Sequence, residues 1–163
     1  MEKTIIKKFG NKLRVRICGI LIEDDKILLV KHRSIGKHGT LWAPPGGGLQ
    51  FGERAEDCLQ REFEEETGLE IKVGPYLFTH EFLQPPLHAI ELYFKVSRIR
   101  GQLCRGFDPE MNTGEQIITA VSFLSFEDMK NTEPDSLHYI LRILDNLNDL
   151  LYMKGYVKFE DFT

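Results

Sequence analysis

Cysteine is scarce in this chain of 163 residues: Cys18, Cys58 and Cys104 are its only thiols, and no CxxC or related metal spacing joins them. An odd, unpatterned set excludes a disulfide framework and a cysteine-ligated zinc site, and predicts free, mostly buried thiols. Long apolar runs are missing too; none reaches the roughly 18–20 residues that a membrane helix needs. Met1 to Lys12 carry lysines but neither the apolar stretch nor the small-residue cleavage site of a secretory signal. These absences predict a cytoplasmic protein with no membrane partner. Internal repeats, linkers and low-complexity segments are absent as well, so residues 1–163 are expected to form a single domain.

A broad basic field is also lacking, which argues against nucleic acid as a partner. The chain holds 21 Lys and Arg against 25 Asp and Glu, a net charge of −4. Between Glu53 and Glu66 stand seven acids (Glu53, Glu56, Asp57, Glu62, Glu64, Glu65, Glu66) and two bases (Arg54, Arg61), a local charge of −5. The remainder of the chain is therefore close to neutral. Acid concentrated in one short segment calls for a local cause.

Periodicity places that segment. Leu13 to Glu23 alternates as a strand, with Val15 and Ile17 set against Arg14 and Arg16, and Lys26 to His32 returns as a second strand after the Asp24-Asp25 turn. Ser34 to Gly39 is expected to be a polar loop. Pro44-Pro45-Gly46-Gly47-Gly48 is expected to break regular structure, and a helix of about four turns follows near Arg54–Thr67, ended by Gly68 in the left-handed conformation. Leu69 to Leu83 and His88 to Ile99 read as extended, Arg100 to Gly114 as loop, and Gln116 to Ser125 as a strand. Leu137, Ile140, Leu141, Leu144, Leu147 and Leu151 predict an amphipathic helix over Ser136–Leu151. The order of elements predicts a mixed α/β fold with helices packed on a sheet.

On the 54–67 helix, Ala55, Cys58, Leu59, Glu62, Phe63 and Glu66 fall on one continuous stripe. Its first half is apolar and its second half holds two glutamates, with Glu65 flanking them. A solvated face accounts for Glu56, Asp57 and Glu64, but not for acids on the core-facing stripe. Carboxylates that lose water and repel one another need a positive partner. Oxygen ligands alone suit a hard cation, Mg²⁺ or Mn²⁺, better than zinc.

The pattern Gly47-x5-Glu53-x7-Arg61-Glu62-Phe63-x-Glu65-Glu66-x-Gly68-Leu69 resembles the signature of the Nudix hydrolase family at every fixed position. Seven positions demand one residue type; at roughly one in fifteen each, a chance match is on the order of 10⁻⁸. The approach Trp42-x-x-Pro45-Gly46-Gly47 and the later Val121-x-Phe123 and Glu127-Asp128-Met129 are also similar to family segments. The resemblance implies an α/β/α sandwich around a mixed sheet, metal-dependent cleavage of a phosphoanhydride in a small nucleotide, and a homodimer. It implies that Glu62, Glu65 and Glu66 hold Mg²⁺ or Mn²⁺, that Arg61 orients a glutamate, and that Glu53 supports the site from the helix start. It further implies that Gly47 and Gly48 let the backbone approach phosphate, and that a loop acid before a late strand, Glu115, supplies another ligand or the general base. Asp108 and Glu110 are alternatives for that last role.

Other signals are weaker. Pro85, separated from Leu69 by the fifteen residues 70–84, resembles a marker of ADP-ribose pyrophosphatases. It favours a nucleoside diphosphate linked to another moiety, with nucleoside triphosphates as the alternative substrate class. A sensor that kept the fold and lost turnover would be expected to lose signature glutamates, and all are present. Arg33, at the end of the second strand, is a candidate phosphate contact or an ordinary exposed arginine. Trp42 is assigned to the core, with stacking of a base as the alternative. Phe82, Tyr93 and Phe107 are candidates for stacking a base, and the five histidines are read as structural or surface residues.

Overall fold

Successive strand residues point to opposite faces, and that alternation builds the layers. The computed structural model describes residues 3–107, 109 and 111–158; Asp108 and Glu110 lie outside the described residues, as does the end of the tail. Strands β1 (Lys12–Ile20), β5 (Gly46–Gly48), β6 (Glu70–Gln84), β7 (Leu87–Arg100) and β9 (Gly155–Val157) form a mixed sheet in the order β5-β1-β7-β6-β9. Strands β2 (Ile22–Glu23), β3 (Lys26–Arg33), β4 (Thr40–Ala43) and β8 (Ile118–Ser125) form a second, antiparallel sheet centred on β3.

Side chains of opposite parity serve opposite layers. Ile17 and Leu28 face helix α2 (Ala55–Thr67), joining Cys58, Leu59, Phe63 and Leu69 in one core cluster. Cys18, Ile27 and Leu29 face the other way, onto Leu137, Ile140, Leu141, Leu144, Leu147 and Leu150 of the C-terminal segment. Two sheets thus lie between two helical layers, the expected α/β/α sandwich. A third cluster joins Ile5 and Phe9 of an N-terminal helix, α1 (Lys3–Phe9), to Val30, Leu87, Met111, Ile117 and Ile118.

Several expectations need correction. Gly46–Gly48 is not an irregular loop but the short edge strand β5, antiparallel to β1 with Arg16 opposite Gly48 and Cys18 opposite Gly46. A Cβ on Gly46 would collide with the Ile17 carbonyl, so glycine is what allows this close pairing. The 136–151 segment is not one helix. Leu137, Ile140, Leu141, Leu144 and Leu147 are buried as expected, but Leu150 rather than Leu151 is the buried residue at the end, and only α4 (Tyr139–Arg142) and α5 (Asp149–Tyr152) are α-helical. The Asp149 carboxylate accepts from the backbone N–H groups of Asp145 and Asn146 at 2.9 and 3.0 Å. The N–H groups that a continuous helix would need are thereby taken by a side chain. Elements α1, β4 and β9 lie outside what periodicity predicted, and a capped helix α3 (Phe126–Lys130) follows β8.

Candidate active site

Helix α2 carries most of the site, and its ends are well anchored. Gly68 closes it with φ of 72°, its N–H donating to the Glu64 carbonyl. The N–H groups of Gly106 and Phe107 donate to the carbonyls of Glu66 and Glu65 at 2.8 and 3.0 Å, so the loop after β7 satisfies the last turn. The burial of Cys58, Leu59 and Phe63 then fixes the rotation of the helix, and the same stripe turns Glu62 and Glu66 into a cleft. Glu65 lines the cleft beside them.

Arg61 ties the acids together. Its guanidinium donates to both oxygens of Glu53 at 2.8 and 3.0 Å, to Glu62 at 2.8 Å and to Glu65 at 3.3 Å. The Glu53 carboxyl is held below its ordinary value, chiefly by that Arg61 hydrogen bond, and it also accepts from the N–H of Gln50 at 3.1 Å. Glu62 goes the other way: burial first, and then the charge of Glu66, push it up to about 7 despite Arg61. Glu66, 7% exposed, accepts from the N–H of Gly46 at 3.0 Å, with His32 Nε2 4.0 Å from its other oxygen. A Cβ on Gly47 would collide with the Glu62 carboxylate, so the glycine leaves the space this acid occupies.

The opposite wall was not legible as a site. Arg14 and Arg16 of β1 line the cleft, with the Arg14 guanidinium 4.1 Å from the centre of the Phe9 ring. Arg16 Nη2 donates to the Gly46 carbonyl at 3.0 Å, and its Nε lies 3.6 Å from Glu91 Oε1. Glu91, 4% exposed, accepts from the Tyr93 hydroxyl at 2.9 Å and lies 2.9 Å from His138 Nε2. Burial alone would push Glu91 up, but His138 and Arg16 outweigh it and hold the carboxylate low and ionised. His80 completes this buried group. Its Nδ1 donates to the Val157 carbonyl at 2.8 Å, and desolvation, reinforced by His138, lowers its pKa. Donor atoms of His80, Glu91 and His138 lie within 4.8 Å of one another. Glu91 nevertheless already has a cation and a hydroxyl beside it. His138 Nδ1 accepts from the Ile140 N–H at 3.4 Å, which ties the ring to the start of α4. That arrangement reads as an internal polar network supporting Arg16.

The sequence candidates therefore divide. Glu62, Glu65, Glu66, Arg61, Gly47 and Gly48 come together on the cleft wall. Glu115 and Arg33 are not among its lining residues. The Glu115 oxygens accept from Thr4 Oγ1 at 3.2 Å and Asn112 Nδ2 at 2.8 Å, and Arg33 Nη2 donates to the Gly114 carbonyl at 3.2 Å. Phe82 and Phe107 line the cleft, whereas Tyr93 is fully buried beneath it. Trp42 packs against the C-terminal cluster, as expected of a core residue. Cys18 and Cys58 are buried, and Cys104 is exposed.

The two-sheet sandwich turns three glutamates of one helix into a cleft, next to a glycine strand and two arginines. A family model for the NUDIX domain matches residues 12–143, and the chain belongs to that family. Among its relatives is an ADP-ribose pyrophosphatase of Methanocaldococcus jannaschii, 36% identical over 112 residues, which are 66% of each chain. A CTP pyrophosphohydrolase of Escherichia coli is 34% identical over 65 residues, 40% of this chain and 48% of that one. This chain thus spans between about half and two thirds of the length of these relatives. A NUDIX hydrolase structure from Nitrosomonas europaea shares the fold at a TM-score of 0.65 and 19% identity, covering 80% of this chain and 84% of the other.

Proposed function

We propose that this protein is a divalent-cation-dependent pyrophosphohydrolase that splits the phosphoanhydride of a nucleoside diphosphate linked to a second moiety, with an ADP-ribose-like compound preferred. The observation that carries the proposal is the convergence of Glu62, Glu65 and Glu66 in one cleft, with Glu62 pushed up to about 7 by burial and by Glu66. A site that disfavours its own ionisation in this way is completed by a cation. The donors fit one: they are carboxylate oxygens, matched to Mg²⁺ or Mn²⁺, and glycine at 47 keeps their space open. When bound, the cation neutralises diphosphate oxygens and makes water a stronger nucleophile.

The chain's own residues supply the rest. Glu62, Glu65 and Glu66 hold the cation, and Arg61 fixes Glu62 and Glu65 through charge-assisted hydrogen bonds while anchored on Glu53. Glu65, the more exposed of the two glutamates that Arg61 binds on this wall, is assigned the proton of the attacking water. Glu115 would need its loop to open from Thr4 and Asn112 before it joined the site. The aromatic edges of Phe82 and Phe107 offer surfaces for a base. The named activity of the M. jannaschii relative and the position of Pro85, in the β6–β7 turn, favour a sugar-linked diphosphate. The activity named for the E. coli relative supports nucleoside triphosphates as the second reading.

A substrate panel with Mg²⁺ and product identification tests this directly. AMP and ribose 5-phosphate from ADP-ribose are expected at a higher kcat/KM than pyrophosphate release from any triphosphate. The opposite order would transfer the assignment to triphosphates, and no hydrolysis of either class would end it.

A further inference from the structure

We infer that Arg16, with Arg14 beside it, is an anion subsite that grips the substrate's phosphoryl oxygens independently of the metal, and that Glu91 is its positioning residue. The inference rests on the diphosphate reading above, and it concerns groups that neither the family signature nor any relative's name assigns.

The geometry turns on a single residue, Gly46. Its N–H donates to Glu66 at 3.0 Å and its carbonyl accepts from Arg16 Nη2 at 3.0 Å. One peptide residue thus spaces a metal-site carboxylate from a guanidinium, and both line the same cleft. An oxyanion bound to a cation on the glutamates would have its remaining oxygens within reach of Arg16. Strand β5 forms the partition between the two charges and has no side chains. Glu62 occupies the space that a Cβ at Gly47 would fill, and a Cβ at Gly48 would stand 3.0 Å from Arg14 Nη2. Opposite charges can approach across a strand only this thin.

Arg16 is built for such a task. A guanidinium has five N–H donors in a planar fork that matches two phosphate oxygens. Backbone takes one of them here, and the buried Nε has no hydrogen-bond partner, standing 3.6 Å from Glu91. A cation committed to structure would be expected to saturate its carboxylate neighbour. Glu91 instead hydrogen-bonds Tyr93 and faces His138, so it is fixed from behind while holding Arg16 by charge. Its neighbours on the same face of β7, Leu87, Ala89 and Tyr93, are all buried, so Glu91 cannot swing to solvent and release the arginine.

Binding of inorganic pyrophosphate to the full chain in excess EDTA, measured by calorimetry, isolates this subsite from the metal. Wild type is expected to bind. Arg16→Ala should raise Kd at least tenfold, Arg16→Lys should recover part of the loss, and Glu66→Gln should leave Kd unchanged or lower. Glu91→Gln should weaken binding in wild type and have little further effect in Arg16→Ala, because it acts through that arginine. Arg14→Gln, which leaves Arg16 and Glu91 themselves unchanged, provides a second measure if Arg16→Ala fails to fold and should also raise Kd. Wild type that fails to bind, or Arg16→Lys and Arg14→Gln that both bind within twofold of wild type, would overturn the inference. A chain that binds pyrophosphate through Arg16 but hydrolyses nothing in the substrate panel would fail the hydrolase reading alone. Full activity with no metal-free binding would fail the subsite alone.

Discussion

Replacing Glu62 with glutamine should make the metal-free protein more stable, and only above a defined pH. The folded Glu62 carboxyl is pushed up from 4.5 to about 7, by burial first and by Glu66 second. A carboxyl whose folded pKa is raised binds its proton more tightly in the native state. Its contribution is therefore fully present below about pH 4.5 and is lost as pH rises through 7, the reverse of the usual salt-bridged acid. At about 1.4 kcal/mol per pH unit, a rise from 4.5 to about 7 corresponds to about 3.5 kcal/mol at most, and residual contact with water reduces it. For a chain of this size 1 kcal/mol moves Tm by roughly 2–4 °C, so the ceiling is roughly 7–14 °C.

The assay is thermal unfolding of wild type and Glu62→Gln in EDTA, at several pH values from 4.5 to 8. His80, whose pKa is lowered, contributes in the opposite sense over part of this range. It is common to both proteins and cancels in the difference. The Tm gap is expected to open in favour of Glu62→Gln as pH rises, and to level off above about 7.5. Saturating Mg²⁺ should raise wild type at pH 8 and close or invert the gap, because a ligand that binds only the native state stabilises it. Parallel curves in EDTA would refute the claim that Glu62 is strained by burial and by its neighbour.

Glu65→Gln or Glu66→Gln should lower kcat at least about a hundredfold under saturating Mg²⁺ with folding intact by circular dichroism, and wild-type turnover in either would remove it from the site. EDTA should abolish hydrolysis and Mg²⁺ or Mn²⁺ restore it, whereas added reductant should change nothing; activity surviving thorough chelation would require another mechanism. Arg61→Ala should cost more than Glu53→Ala in kcat, since Arg61 touches two of the three acids and Glu53 reaches them through Arg61. Glu115→Gln should keep nearly full kcat while Glu65→Gln loses it, because Glu115 is bonded to Thr4 and Asn112 off the cleft wall; a large loss would mean that the loop closes over bound substrate.

Legibility followed the range of the interaction. The α2 stripe is a local pattern of period 3.6, and it foretold which acids turn inward and where Gly68 ends the helix. The 13–23 and 26–32 strands were equally local. What escaped depended on contacts far apart in sequence. β5 forms only because three glycines can lie against β1, and composition alone gives the same segment the mark of a loop. The 136–151 helix failed because Asp149 competes for backbone N–H groups, a defect that a count of leucines does not register. Helix α1 is amphipathic over seven residues only, and it is held by Phe9 and Ile5 against residues from 30 to 118.

The second wall shows why half of a site stays hidden. Arg14 and Arg16 alternate with Val15 and Ile17, and in an isolated strand that pattern reads as a solvent face. Here the apolar parity is itself divided: Ile17 is buried under α2, while Leu13 and Val15 are 67% and 42% exposed. The arginine parity, continued by buried Cys18, points into the protein. Inward arginines are tolerated only because Glu91, 75 residues further along, arrives at the same depth through parallel pairing that sets it opposite Arg16. No motif links the two positions, since each is an ordinary charged residue in a strand until register aligns them. The acidic wall is written in one helix and can be read as a signature. The basic wall is written in register between two strands, and only the folded sheet brings it beside the glutamates.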